Sequence, residues 1–393
     1  MIQFTEEHLA VRDAARDFAQ NELLPGVIER DSNMSYPTDQ IKMMGELGFL
    51  GMMVSEQYGG GGMDTLSYVI AMEEISKVDN SCSVIMSVNN SLVCWGLETF
   101  GTDAQKEKYL PKIAAGETIG AFCLSEPEAG SDATSQRTTA IDKGDHFLLN
   151  GTKNWITNGG SSKIHLVIAQ TDKDKGHRGI NAFIVEADWD GVSIGAKEDK
   201  LGIRASDTHT IMYTDVKVPK VNRIGEDGFG FKFAMKVLTG GRIGIAAQAL
   251  GIAGGAYELS VDYAQEREAF GKPISKHQAI AFKLADMATE IEAARLLVYR
   301  SAWLKDQDMD YISASSMAKV FASEVAMRQT VEAVQIHGGY GFVKEYHVER
   351  LMRDAKITQI YEGTSEIQRI VISREILKNN NLYVPIPTPE AVG

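Results

Sequence analysis

Apolar residues recur at helical spacing towards both ends of the chain and at strand spacing in its middle. In TEEHLAVRDAARDFAQNELLP, Val11, Ala15 and Phe18 fall on one face, Thr5 stands where a cap accepts a free N–H, and Pro25 marks a stop. TDQIKMMGELG predicts a further helix ending at Gly48, and DTLSYVIAMEEISKV one that begins at a capping Asp64. NSCSVIMSVNNSLVCWGLETFG is apolar on every face, so it should be mostly buried. The glycine run at 59–62 follows no strand and carries no lysine, which predicts a flexible loop rather than a phosphate cradle.

From about Ile119 the period changes to two. HFLLNGTKNWI sets Asn150-Gly151 between two β-rich runs and predicts a hairpin turn there, and KIHLVIAQT, INAFIVEA and THTIMYTDVKV continue the strands. Helical periodicity returns in three long alanine-rich segments: FKFAMKVLTGGRIGIAAQALGIAGGAYELSVDYAQ, KHQAIAFKLADMATEIEAARLLVYRSAWL and SASSMAKVFASEVAMRQTVEAVQIHGG. At 393 residues the chain exceeds one ordinary core. The expected class is α+β: an N-terminal helical domain over 1–118, a middle β domain over 119–230 and a C-terminal four-helix-bundle-like domain over 231–393. The tail NLYVPIPTPEAVG reads as loose.

The formal net charge of -13 and the lack of a basic block argue against a nucleic-acid partner. No window reaches ~18 consecutive apolar residues, so no membrane span is expected. The start MIQFTEEHLAVRDAARDF is acidic and amphipathic, without signal or transit character, which predicts a cytoplasmic chain whose mature form begins near Met1, with a processed mitochondrial-matrix protein as the alternative. Cys82, Cys94 and Cys123 show no C-x-x-C spacing and read as core residues in a reducing compartment. No histidine stands at metal-site spacing, so no metal is predicted.

Neither a Rossmann fingerprint nor a P-loop occurs, so a nucleotide cofactor would be held another way. Several separated clusters carry possible chemistry. FCLSEPEAGSD leaves an apolar strand for a loop with Ser125, Glu126, Gly130 and Ser131, either an anion or ring-edge contact or an ordinary turn. NWITNGG places Trp155 beside Thr157, a support for a flat ring or a core anchor. EREAFGKPISKHQA combines Arg267, Phe270, Gly271 and Gln278, and VQIHGGYGF ends a helix at Gly338 and Gly339; each also reads as a plain loop or cap. In IYEGTSEIQRI, Thr364 or Ser365 caps a helix running through Ile367, Ile370 and Val371. That leaves Glu362 on a turn just before it, where it could simply favour the helix dipole.

Taken in order, FCLSEPEAGSD, NWITNGG, KLGIRASDTH, GRIGIAAQALGIA, REAFGKPISKHQA, QIHGGYGF and IYEGTSEIQR give nearly the whole chain a resemblance to the acyl-CoA dehydrogenases, with a C-terminal half most similar to the short-chain, butyryl-CoA type. The resemblance implies an FAD-dependent oxidoreductase of fatty-acid β-oxidation that converts a short-chain acyl-CoA to the trans-2-enoyl-CoA. It also implies electron transfer to an electron-transferring flavoprotein, and a homotetramer. FAD would meet Phe122, Leu124, Ser125, Gly130 and Ser131, and its ring would lie against Trp155, Ile156 and Thr157. Arg267, Phe270, His277 and Gln278, with Gln335, Ile336, Gly338 and Gly339, would grip the ADP portion from a neighbouring subunit, and Thr364 and Glu366 would also touch the cofactor.

Glu362 matches the family's catalytic base. Ser131, Arg242, Gly363 and Arg374 would lie near substrate. The helix start would hold Glu362 ionised in the free enzyme, whereas acyl burial would raise its pKa, and the sequence does not say which of the two dominates. Gly241 stands where isovaleryl- and long-chain-type relatives carry their glutamate, and Ser83 where glutaryl-type relatives carry an arginine, which argues against those substrates. Arg374 resembles the medium-chain pattern instead. A medium- or branched-chain dehydrogenase and a non-catalytic acyl-CoA or flavin-binding scaffold are the alternatives, and the intact Glu362 and Arg242 weigh against the scaffold.

Overall fold

A computed structural model describes residues 3–379; the tail expected to be loose lies outside the described residues. The N-terminal third is helical: α1 Glu6–Phe18, α2 Val27–Asn33, α3 Thr38–Glu46, α4 Thr65–Ser76, α5 Asn80–Ser87, α6 Trp95–Phe100 and α7 Asp103–Ala114. Thr5 caps α1 by accepting the His8 N–H, and Asp64 caps α4 by accepting that of Ser67. Two π-helical stretches, Ala19–Leu23 and Val88–Cys94, continue α1 and join α5 to α6. The second is buried throughout, as its unbroken apolar pattern requires. The glycines at 59–62 fold back on the chain before them, with Gly61 N donating to Gly51 O and Gly62 N to Val54 O.

The middle of the chain forms an eight-stranded sheet from β1 Gly120–Cys123, β2 Thr139–Asp142, β3 His146–Thr157, β4 Ile164–Gln170, β5 Ile180–Glu186, β6 Val192–Lys197, β7 Thr208–Pro219 and β8 Arg223–Ile224. The order is β6-β7-β3-β2-β4-β5-β8, with β1 pairing parallel to β4. β4 and β5 are buried almost end to end, matching their apolar runs, whereas β7 alternates. Asn150-Gly151 is not a hairpin. It sits inside the 12-residue β3, where the register against β7 shifts between Leu149 and Gly151. The amide that favours turns is used across the sheet instead: Asn150 Nδ2 donates to Asp215 Oδ1 at 3.0 Å and its Oδ1 accepts Asp215 N–H at 2.8 Å.

The last third holds α8 Gly230–Glu266, the two-stranded ribbon β9 Glu268–Ala269 and β10 Lys272–Pro273, and then α9 Gln278–Asp306, α10 Ile312–His337, α11 His347–Thr358 and α12 Ser365–Asn379. α8 is the axis, packed against α4, α9, α10 and α11. Close approach to α4 depends on two glycines: a Cβ on Gly251 would lie 2.4 Å from Glu73 O, and one on Gly255 2.3 Å from Lys77 O. By length and composition α8 could cross a membrane, but its most apolar window is 89% buried within the fold. Cys82, Cys94 and Cys123 are unpaired core residues.

Candidate active site

The turn between α11 and α12 carries the unusual backbone. Glu362 has φ 52° and Gly363 φ 94°, both left-handed, a conformation that costs a non-glycine residue on the order of 1 kcal/mol. Thr364 is the residue that caps α12, its Oγ1 accepting Ile367 N–H at 3.3 Å. The turn's carbonyls are held from two sides. Lys319 Nζ, from α10, donates to Gly363 O at 2.7 Å, and Gln368 Nε2 donates to Gly363 O at 2.8 Å and to Glu362 O at 3.3 Å. Before the turn, Tyr361 donates its hydroxyl to Gln248 of α8. Gln248 Nε2 in turn donates to Asn80 O at 3.1 Å and to Ser83 Oγ at 3.0 Å.

The Glu362 side chain points at α8. A Cβ built on Gly241 would stand 2.2 Å from Glu362 Oε2 and 2.6 Å from Leu92 Cδ2, so the absent side chain makes the space the carboxylate occupies. Oε2 is buried with no hydrogen-bond partner. Burial pushes the carboxyl up to about 7, against the opposing pull of Lys319 and Arg242. Of the two opposing effects on Glu362, the helix start and burial, burial is the larger, and the chain itself supplies it before any acyl group is present. Glu366, in the first turn of α12, is the carboxyl held low there, chiefly by its own backbone N–H and by Thr364.

Arg242 is buried beside Gly241, donating Nη1 to Ser316 Oγ at 3.2 Å and leaving Nε unpartnered. Burial lowers its pKa while Glu362 raises it. Two unpartnered buried atoms, an acceptor on Glu362 and a donor on Arg242, suit a ligand with a polar group between them. On the far side, Tyr68 fills the space under Gly244, one turn from Gly241, with its Oη 2.5 Å from where a Cβ would be. A cavity of about 330 Å³ lined by Met53, Trp95, Lys305 and Tyr311 opens beside Gly240.

The β domain approaches the same region. Phe122 and Leu124 share a hydrophobic cluster with Leu92 and Tyr361. Asn154 N donates to Ser125 O at 2.8 Å, which sets Trp155 beside the 122–131 loop. Trp155 has φ 60° and is 63% exposed, an indole presented outward, whereas Ile156 turns its side chain into the sheet core. Glu126 lies beneath this surface: Lys153, itself fully buried, donates to Leu124 O at 3.0 Å, Glu126 Oε1 at 2.7 Å and Gln136 Oε1 at 2.5 Å. Gly130 has open space where a Cβ would stand, and Ser131 is exposed beside it.

A third group forms at the far end of α8. Phe270 and Gly271, at φ 55° and 77°, make the two-residue turn of the β9–β10 hairpin and leave Phe270 96% exposed. His277 braces that turn through Ala269 O at 3.0 Å. Arg267 stacks over Tyr340, which brings the hairpin to Gly338 and Gly339; Gln278 and Gln335 are exposed, and Ile336 is a core residue. Arg242 lies about a third of the way along the 37-residue α8 and Arg267 just past its end, and at ~1.5 Å per residue they stand roughly 38 Å apart. Arg374 is exposed on α12.

Lys319, Gln368, Gln248, Leu92 and Lys153 were not anticipated as parts of the site. Lys319 alone gave a signal, as a charge on the alanine-lined face of α10 with Ala318 and Ala322.

Three family models match the chain in succession: the acyl-CoA dehydrogenase N-terminal domain over 5–117, the middle domain over 121–216 and the C-terminal domain over 228–377. The short-chain specific acyl-CoA dehydrogenase of Clostridium acetobutylicum is 50% identical over 377 residues, covering 96% of this chain and 100% of the relative. The solved butyryl-CoA dehydrogenase of Megasphaera elsdenii superposes with a TM-score of 0.94 at 48% identity, covering 96% of this chain and 100% of its own. A chain from a structure reported as the electron transferring flavoprotein of Acidaminococcus fermentans gives a TM-score of 0.95 at 51% identity, again covering 96% and 100%.

Proposed function

The chain belongs to the acyl-CoA dehydrogenase family of FAD-dependent oxidoreductases, and from that premise we propose that it dehydrogenates short-chain acyl-CoA thioesters to their trans-2-enoyl-CoA products. The observation that carries this reading is the Glu362 carboxylate: buried, unpartnered at Oε2, raised to about 7 and lodged against Gly241. A general base works best with a pKa near the working pH. Glu362 takes the proton from the thioester's α-carbon, the β-carbon gives up a hydride, and the two electrons left in the broken Cα–H bond form the double bond. FAD supplies the hydride acceptor. Arg242 offers a buried, unpartnered N–H beside the base, and the walls formed by Leu92, Tyr361 and Tyr68 keep water from competing for it.

The outward indole of Trp155 beside the Ser125 loop fits a flat flavin ring, with Thr157 next to it and the Lys153–Glu126 pair stiffening the loop from below. Arg267, Phe270 and Gln278, with Gly338 and Gly339, offer a cation, an exposed ring and open backbone for the ADP portion. Arg267 stands roughly 38 Å along α8, at ~1.5 Å per residue, from Arg242 beside the base, more than one dinucleotide spans, which favours ADP contacts supplied by a neighbouring subunit of a homo-oligomer such as a tetramer. Tyr68 pressed under Gly244 closes the space beyond the base and supports a short acyl chain, and exposed Arg374 contributes no wall. An electron-transferring flavoprotein is the proposed acceptor, and the three buried thiols suit a reducing setting such as the cytoplasm.

Anaerobic titration with acyl-CoAs of graded length tests the reading. Butyryl-CoA should bleach the flavin band rapidly, with a best length of about four to six carbons, since one methylene is worth only ~1–3 kcal/mol. Glu362→Gln should bind FAD and acyl-CoA but reduce it ~10²-fold more slowly or worse. A yellow protein that no acyl-CoA bleaches would remove the proposal.

A further inference from the structure

Lys319 has no assigned part in the reaction, yet it is fully buried in α10, a place a lysine takes only when its charge is answered. Its hydrogen bond goes to a neutral acceptor, Gly363 O, at 2.7 Å. A backbone carbonyl does not balance an ammonium removed from water; a nearby carboxylate does. The anion that acts on it most strongly is Glu362, the residue before the carbonyl that Lys319 holds.

We propose that Lys319 is the positioning residue of the base: its ammonium fixes the left-handed turn that aims Glu362 at Gly241 and supplies the cation against which Glu362 ionises. This rests on the reading of Glu362 as the base. Two geometric facts carry it. Glu362 adopts a left-handed φ of 52° that costs a residue with a Cβ, and the carbonyl of the following Gly363 is gripped by Lys319 from α10 and by Gln368 from α12. Loss of either grip frees the turn, and a carboxylate displaced by ~1 Å no longer meets its α-carbon.

The charged surroundings are few. Around Lys319 they are Glu362 and Glu366 on the α12 side and Arg242 from α8; Arg242 also faces Tyr311, and Glu362 faces Tyr68 and Tyr361. Burial raises all three phenols, so they stay neutral across the working range. Glu366 is exposed and screened. The balance therefore lies among Glu362, Lys319 and Arg242. Burial lowers Lys319 to about 7 and raises Glu362 to about 7, and their mutual attraction opposes both shifts. Removing the cation leaves Glu362 harder to ionise, so the base form appears only at higher pH.

The experiment measures the pH dependence of flavin bleaching by butyryl-CoA in rapid mixing for wild type, Lys319→Met, Lys319→Gln and Glu362→Gln, each with its FAD content recorded. Lys319→Met should move the acid limb upward by about one pH unit and lower the plateau rate ~10-fold, with the half-saturating concentration nearly unchanged. Lys319→Gln keeps an N–H donor for Gly363 O without the charge, so it should show the same pH shift with most of the plateau restored. A lysine that merely fills its site would alter the melting temperature and leave the limb in place. If Lys319→Met does not fold, the limb of Lys319→Gln decides alone. An unshifted limb overturns the proposal for Lys319 while a slow Glu362→Gln leaves the base reading standing. Fast bleaching by Glu362→Gln brings down that reading itself.

Discussion

Glu362 and Gly241 occupy complementary volumes: the carboxylate of one fills the space a Cβ on the other would take, 2.2 Å from Oε2. A carboxylate can therefore occupy this space from the turn or from α8, but not from both. Gly241→Ala should push the carboxylate aside and slow bleaching by butyryl-CoA ~10-fold or more, with FAD still bound, because a small misplacement at the reacting centre is costly. Glu362→Gly with Gly241→Glu empties one side and fills the other, and it should recover part of the activity that Glu362→Gly loses. Leu92 Cδ2, at 2.6 Å from the new Cβ, must move for that to happen, so the recovered preference among acyl lengths should differ from wild type. Gly241→Ala bleaching within about twofold of wild type would show that the carboxylate is not confined there.

The buried Glu362 carboxyl has a thermodynamic cost that depends on pH. It sits at about 7 in the folded chain against 4.5 for the ordinary group, so between those values the folded state binds more protons than the unfolded. Stability at this site is then full below ~4.5, declines as pH rises to ~7, and stays reduced above it. Glu362→Gln abolishes the titration. The stability of the variant relative to wild type should therefore rise between pH 5 and pH 8, by no more than ~3 kcal/mol, whatever pH-independent cost the substitution carries. Thermal melts of both proteins at the two pH values check this, and a relative stability that grows on acidification would contradict it.

Two glycine turns show where local sequence was and was not a guide. Asn150-Gly151 has the residues a hairpin prefers, but the sheet extends through it because Asn150 bonds Asp215 on the neighbouring strand. Phe270-Gly271 lacks that signature and is the hairpin, with Phe270 held left-handed and His277 braced on Ala269 O. In both cases a partner distant in sequence decides. The long helices, the caps of α1 and α4 at Thr5 and Asp64, and the turn that carries Glu362 were legible because periodicity and capping are local. Lys319, Gln248 and Lys153 were not. Each acts through a contact with a segment far along the chain, and only the fold brings the two together.

Lys153 and Glu126 form a buried pair under the Ser125–Trp155 surface, where Glu126 also accepts Arg137 N–H at 2.6 Å and Thr138 N–H at 3.1 Å. Burial works to raise Glu126, but the ammonium and these hydrogen bonds hold it low. Lys153→Met leaves a buried carboxylate without its cation, a loss of ~3–5 kcal/mol. The variant should melt lower and release FAD on gel filtration, and adding Glu126→Gln should restore part of both. Undiminished FAD retention by Lys153→Met would detach the pair from the cofactor loop.

Tyr68 offers the clearest test of acyl length. Its Oη lies 2.5 Å from where a Cβ on Gly244 would stand and donates to Ser87 Oγ at 3.1 Å, so the ring is locked in the space one helical turn from Gly241. An acyl chain passing Glu362 in that direction meets this ring. Tyr68→Leu shortens the wall while keeping the site apolar, and it should raise kcat/KM for octanoyl-CoA relative to butyryl-CoA by ~10-fold or more, since each accommodated methylene contributes ~1 kcal/mol or above. Tyr68→Phe removes only the hydroxyl and should leave the ranking of lengths as it is, at a modest loss of stability from the unanswered Ser87. Graded acyl-CoA kinetics on the two variants separate the ring from its hydroxyl. An unchanged ranking in Tyr68→Leu would mean that the chain runs elsewhere, with Leu92 on the other side of Gly241 as the wall to vary next.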